Sequence, residues 1–230
     1  MPTRIALIHA VTVAMVPVQD AFRRLWPEAF CTNLLDDSLS ADRERDGVLT
    51  AAVAARIGTL ADYAADAGAD GILFTCSAFG AAIEQVAARL PVPVLKPNEA
   101  MFEAALDAGD EIGMLATFAP AVDGMEEEFR ALARARGRSA ATIRTLCVSE
   151  AMAALRSGDA AAHDGLLAQA APALAGCDAV LLAHFSTSRA EQAVSAAINR
   201  PVQTSPAAAV RKLRGAIRSA QALASAPDSR

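Results

Sequence analysis

Short uninterrupted apolar runs alternate along this chain with longer stretches in which apolar residues recur every three or four positions. That alternation predicts strands and helices in turn. The runs RIALIHA (4–10), FCTNLL (30–35), GILF (71–74) and PVPVL (91–95) read as strands, each bounded by polar residues, glycine or proline. Between the second and third, Val48, Val53, Ile57 and Leu60 fall at roughly helical spacing and predict one long helix over 41–67, capped by Ser40 and stopped by Gly68. An earlier amphipathic helix carries Phe22 and Leu25, the segment 81–90 is helix-forming, and Asn98 is placed to cap a helix over 99–108. Strands and helices in strict alternation predict an α/β fold with parallel sheets.

From residue 111 the pattern begins again. EIGMLATFAPAVDGMEEEF (111–129) has the layout of RIALIHAVTVAMVPVQDAF (4–22), with Ile5 on Ile112, Leu7 on Met114 and Phe22 on Phe129, an offset of 107 (129 − 22). GCDAVLLAHFSTS (176–188) likewise follows GADGILFTCSAFG (68–80) at an offset of 108 (176 − 68). Gly68 then falls on Gly176, Asp70 on Asp178 and Cys76 on His184. RPVQTSP (200–206) follows LPVPVLKP (90–97), with Pro91 on Pro201. Three segments in one order, at nearly one offset, predict an internal duplication. The expected architecture is two pseudosymmetric α/β lobes, each an open parallel sheet, formed by residues 1–97 plus 207–230 and by residues 98–206. Their equivalent strand ends are expected on opposite sides of one cleft, where open α/β sheets bind ligands. ATIRTLCV (141–148) supplies the second strand of the second lobe, Ser149 and Asp159 read as helix caps, and Ser188 with Glu191 as a capping box. From 205 a basic amphipathic helix (Arg211, Lys212, Arg214, Arg218) has the look of a solvated face, and 226–230 reads as disordered.

Composition removes several classes of function. The chain is 53% hydrophobic yet has no run long enough to span a bilayer and no basic-then-apolar leader, so a soluble, cytoplasmic protein is expected. A formal charge of −5 without a basic stripe, and a single Trp and Tyr, argue against a nucleic-acid partner. Cys31, Cys76, Cys147 and Cys177 lie far apart with no C-x-x-C spacing, which predicts reduced thiols and neither disulfides nor zinc. No phosphate-cradling glycine pattern or Schiff-base context is present, so no nicotinamide, pyridoxal phosphate or metal is expected.

The chemistry centres on Cys76, where a buried-type strand breaks off into Thr75, Cys76 and Ser77 ahead of a helix. Most free cysteines are small buried hydrophobes. At a strand-to-helix junction, however, the helix N–H groups attract anions and are expected to stabilise a thiolate. The duplication sets His184 at the equivalent place, and a thiol with an imidazole can remove and deliver a proton at carbon. Thr75, Ser77, Thr117, Ser186 and Thr187, at strand ends or helix starts, are candidates to hold a carboxylate and the enolate formed from it, or are ordinary caps.

TCSAFG (75–80), PVLKPNEA (93–100), IGMLATFAP (112–120), LLAHFSTS (181–188) and TSP (204–206), with the duplicated layout, resemble the aspartate/glutamate/hydantoin racemase superfamily over nearly the whole chain. That superfamily includes maleate isomerase and arylmalonate decarboxylase. The resemblance implies a cofactor-independent isomerase, often homodimeric, in which a cysteine from each lobe flanks the α-carbon of a small carboxylate substrate. Cys76 matches the first cysteine, with Thr75 and Ser77 in its carboxylate-binding surround and Thr117 at the matching place in the second lobe. His184 stands where the second cysteine belongs, which departs from a two-thiol site. The decarboxylase relatives keep one cysteine, but in the second lobe. His9 and Ala10 also occupy a strand end where amino-acid racemases often have small polar residues. The leading expectation is a racemase or epimerase using Cys76 and His184 as unlike acid/base partners. The alternatives are a lyase of a malonate-type diacid, a maleate-type cis–trans isomerase in which Cys76 is the nucleophile, and a non-catalytic carboxylate-binding protein.

Overall fold

Each apolar run finds its partners within its own half of the chain. The computed structural model describes residues 2–225. β1 (Arg4–His9), β2 (Phe30–Leu35), β3 (Gly71–Phe74) and β4 (Val94–Leu95) form a parallel sheet in the order β2-β1-β3-β4. β5 (Glu111–Ala116), β6 (Thr142–Cys147), β7 (Ala179–Leu182) and β8 (Val202–Thr204) form a second parallel sheet in the corresponding order β6-β5-β7-β8. One compact unit runs to Lys96 and takes in the chain from Ala209; the other is Pro97–Ala208. β3 and β7 are buried at every residue, which is why their sequences are apolar without alternation. The edge strands β2 and β6 are half exposed and correspondingly mixed.

The repeated Gly-x-Asp has a structural cause. Asp70, just before β3, accepts from the Arg4 N–H at 2.7 Å, and Asp178, just before β7, accepts from the N–H groups of Asp110 and Glu111 at 2.9 Å each. Each carboxylate thus fixes the entry of its central strand beside the neighbouring one. Those backbone N–H groups, Glu111 first, also hold the Asp178 carboxyl below its ordinary range. Gly109 makes room, because a Cβ there would lie 2.1 Å from Asp178 Oδ2.

Helices connect and cover the strands. In the first lobe these are α1 (Met15–Leu25), α2 (Ser38–Asp46), α3 (Ala51–Asp66) and α4 (Gly80–Ala87). The second has α5 (Glu99–Ala108), α6 (Val122–Ala135), α7 (Ser149–Arg156), α8 (Ala160–Ala170) and α9 (Glu191–Ala197), and α10 (Ser205–Ser225) follows. The single helix expected over 41–67 is two, α2 and α3. Gly47 at φ +68 ends α2 in the left-handed conformation, and Thr50 starts α3 by accepting the Val53 N–H at 3.3 Å. Ser40 therefore lies inside a helix and is no cap. Asn98, Ser149 and Ser188 also make no side-chain cap: Asn98 reaches Glu128 and receives the Ser205 hydroxyl, while Ser188 donates to the Phe185 carbonyl. Asp159 does cap, accepting from the Ala162 N–H. On α10, Arg214 departs from the solvated face: it donates to the Leu25 carbonyl at 2.9 Å and stacks 5.7 Å over Trp26. Residues 226–230, expected to be disordered, lie outside the described residues.

Candidate active site

β3 ends by handing its ladder to Thr75, whose N–H bonds the Ile8 carbonyl at 3.0 Å, and Cys76 follows in an extended conformation before a 3-10 turn, Ser77–Phe79. Thr75 is buried and tied inward. Asn33 Oδ1 accepts from Gln19 Nε2 at 3.1 Å and faces His9 Nε2 at 3.0 Å, which assigns the ring proton to Nε2. His9 Nδ1 then accepts the Thr75 hydroxyl at 2.9 Å. Burial lowers the His9 pKa against the opposing Asn33 bond, so the ring is neutral. Because its proton points at His9, Thr75 would have to give up this bond to donate to a carboxylate.

Cys76 is half-buried and Ser77 beside it is half-buried with no side-chain hydrogen bond. Burial raises the Cys76 thiol above its ordinary value; the Ala78 N–H and the Ser40 hydroxyl act in the other direction and do not outweigh it. The thiolate expected at the helix start is therefore stabilised locally, but the resting group is a thiol. Burial pushes Cys31 up too, to about 11. Cys147 is the exposed thiol among the four, and all four are free.

In the second lobe the Ala183 N–H takes the place of Thr75, bonding the Leu115 carbonyl at 2.9 Å, and His184 comes next. Here the backbone breaks with the first lobe: His184 has φ +74, the only non-glycine residue with positive φ among those described. Side chains seldom adopt that conformation unless surroundings impose it. Thr187 helps to impose it, its hydroxyl donating to the His184 carbonyl at 2.8 Å and lying against that of Ala183. Its hydroxyl is thereby a clamp on the His184 turn. His184 Nε2 is buried and has no hydrogen-bond partner, and burial lowers the ring's pKa to about 4. At neutral pH it is an uncharged imidazole. Thr117, directly after β5, is buried with an equally unpartnered hydroxyl, and Ser186 is buried with no side-chain hydrogen bond. Farther round the turn, Arg189 meets Asp164 at 2.9 Å, and Asp164 also holds His163 of α8 at 2.7 Å.

The expected residues are thus gathered by lobe: Thr75, Cys76 and Ser77 at the end of β3, and Thr117, His184, Ser186 and Thr187 at the ends of β5 and β7. Sequence reasoning missed Ser40, read as a cap, and the Gln19–Asn33–His9 chain behind Thr75. The polar stretch after β2 was the available signal. No group of side chains suited to holding a metal, and no helix long and apolar enough to cross a membrane, occurs among the described residues.

Comparison with known proteins bears on the fold and the family. The chain resembles in structure a glutamate racemase from Bacillus anthracis (14% identity, 95% of this chain and 82% of that one, TM-score 0.72). It also resembles an allantoin racemase from Pseudomonas fluorescens (15%, 94% and 92%, TM-score 0.67) and the Picrophilus torridus aspartate racemase (15%, 94% of each, TM-score 0.67). At such identities these likenesses speak for the two-lobe α/β fold. None of the curated proteins compared matches the sequence. The profile of the Asp/Glu/Hydantoin racemase family matches residues 18–213, most of the chain, and the protein accordingly belongs to that family of isomerases.

Proposed function

We propose that the protein is a cofactor-independent racemase or epimerase working at the α-carbon of a small carboxylate compound, with Cys76 and His184 as its two acid/base groups. The observation that carries this reading is His184 itself, a titratable ring 108 residues beyond Cys76 (184 − 76) at the corresponding strand end. There it is held at φ +74 with a buried, unpartnered Nε2. A buried polar atom without a partner costs stability, about 1–3 kcal/mol, and such an atom is explained by a ligand that supplies one. With the imidazole neutral and the thiol protonated, the resting pair is one productive state. The imidazole takes the α-proton, the electron pair moves into the carboxylate as an enediolate, and the thiol returns a proton on the other face. Imidazolium and thiolate remain, the acid and base for the reverse direction. Unpartnered hydroxyls such as those of Thr117 and Ser186 suit the developing enediolate. The cytoplasmic location expected from composition and the homodimer implied by the resemblance belong to the same proposal.

One observation favours a second reading. A thiol kept protonated by burial is a ready donor to a carbanion left by decarboxylation, which needs a single donor. Deuterium wash-in from D2O, followed by NMR over a panel of α-amino acids, their N-carbamoyl derivatives and malonates, separates the two. Exchange without carbon dioxide release is expected; release with single-site deuteration would establish the lyase instead.

A further inference from the structure

Gln19, Asn33, His9 and Thr75 form one line of hydrogen bonds from the outside of the first lobe to the residue before Cys76. Gln19 of α1 is half-buried and Asn33 of β2 is exposed, whereas His9 at the end of β1 and Thr75 at the end of β3 are buried. The three links are 3.1, 3.0 and 2.9 Å long. The His9 ring is neutral and so carries one proton, which these heavy atoms accommodate in two ways. In the first, Asn33 Oδ1 accepts from the Gln19 amide and from His9 Nε2–H, and His9 Nδ1 accepts the Thr75 proton. In the second, both amides are turned by half a rotation. Gln19 Oε1 then accepts from the Asn33 NH2 group, whose other proton goes to His9 Nε2, and His9 Nδ1–H donates to the Thr75 oxygen. The Thr75 proton moves to another acceptor already in place, the Ile8 carbonyl, at the longer distance of 3.3 Å. Every donor on the line keeps an acceptor in both arrangements, and the two ends of an amide are so alike in size that turning it needs no repacking.

We propose that Gln19 and Asn33 are positioning residues of an invertible relay through His9, which releases the Thr75 proton to a carboxylate arriving at this strand end. The empty site rests in the first arrangement, with the Thr75 proton held on His9 Nδ1. A carboxylate oxygen is a stronger acceptor than an imidazole nitrogen or a peptide carbonyl. Thr75 can serve it without leaving Nδ1 buried and bare when His9 changes tautomer and the two amides turn with it. The ring gives its Nε2 proton to water at the exposed Asn33 and takes one from water at Nδ1, so no net charge moves. Thr75 keeps its own proton throughout and only changes the acceptor. This use of Thr75 rests on the carboxylate reading proposed above, whereas the coupling of the two amides to the His9 tautomer needs no ligand.

The test reads the tautomer directly, by long-range 1H–15N NMR correlation on the full-length protein labelled with 15N-histidine. His9 is identified among the three histidines by its loss in His9→Gln. Two nearly isosteric variants push the relay in opposite directions while adding the same charge. In Asn33→Asp the carboxylate can only accept, so His9 is expected to stay Nε2–H with and without malonate. In Gln19→Glu the carboxylate cannot donate, Asn33 turns its NH2 group toward it, and His9 is expected to be Nδ1–H with no ligand present. The wild type should pass from Nε2–H to Nδ1–H as malonate saturates it. By calorimetry, malonate should bind Gln19→Glu about tenfold more tightly than Asn33→Asp, and adding Thr75→Val to each should erase that difference. The same His9 tautomer in both charged variants overturns the relay. Different tautomers with equal malonate affinity overturn the delivery of the Thr75 proton to the carboxylate. Failure of every form to bind malonate sinks the carboxylate reading of the strand end instead, while the tautomers of the two variants still decide the relay.

Discussion

At the end of β3 the first lobe gives partners to the polar groups near its titratable residue, the half-buried Ser77 apart: Thr75 on His9, His9 on Asn33, Ser40 on the Ala10 carbonyl. At the ends of β7 and β5 the second lobe leaves His184 Nε2 and the Thr117 hydroxyl buried and unpartnered, His184 on a backbone held in the left-handed region. One topology thus carries two treatments of the same strand ends. Satisfied networks stabilise a fold and set geometry; unsatisfied buried groups lower stability and are tolerated where a ligand completes them. The asymmetry also divides the chemistry, since burial acts on a thiol and an imidazole in opposite directions and leaves both uncharged.

The largest expected effect comes from removing either titratable group. Cys76→Ser should reduce solvent deuterium exchange by about 10²–10⁴-fold while changing stability by less than about 1 kcal/mol. His184→Asn tolerates positive φ and should lose exchange on one face of the substrate to a similar degree. Full exchange on both faces in His184→Asn would make the two lobes chemically unequal, with Cys76 acting alone. In the wild type, kcat/KM should be level from above pH about 4, where His184 charges, to beyond the ordinary thiol range, where Cys76 ionises. A bell centred near neutrality would show that bound substrate resets one of them.

A medium-sized effect is expected in stability against pH. The folded His184 pKa lies below its unfolded value of about 6.5, so the unfolded chain takes up the proton first. Stability is therefore full above about pH 6.5 and falls as pH drops toward 4, by roughly 3 kcal/mol from this group. His9, also lowered, adds in the same direction. Denaturant titrations of His184→Asn should show a shallower slope in that window, with the His9 share remaining. An identical slope would place the His184 ring in water.

The smallest and most discriminating effect compares two threonines. Thr75→Val removes the donor to His9 Nδ1 and should cost about 1–3 kcal/mol, because a buried acceptor is left without its partner. Thr117→Val removes a hydroxyl with no partner and should leave stability within about 0.5 kcal/mol, or raise it, while weakening substrate binding. Equal losses in thermal denaturation would erase the distinction drawn between the lobes.

Much of this was readable along the chain, because strand burial and helix periodicity are written in local patterns and a duplication is written as an offset. The positions of Cys76 and His184 at equivalent strand ends came from that offset alone. The break at Gly47 was not read, since Val48, directly after the glycine, sits at roughly helical spacing from Val53 and Ile57 and yet falls between the two helices, past a residue whose left-handed backbone ends the first. Nor were the partners of Ser40 and Thr75, which lie 30 and 66 residues away at Ala10 and His9.

By itself, then, the sequence determined which segments become strands and helices, that they recur, and which nucleophile and imidazole end the central strands. Only the tertiary structure decided their charge state, because a pKa follows from desolvation and from hydrogen-bond partners drawn from distant segments. It decided likewise that one lobe completes its own polar network while the other leaves its groups open, for a hydrogen bond across 66 residues exists only once the strands that carry its ends lie side by side.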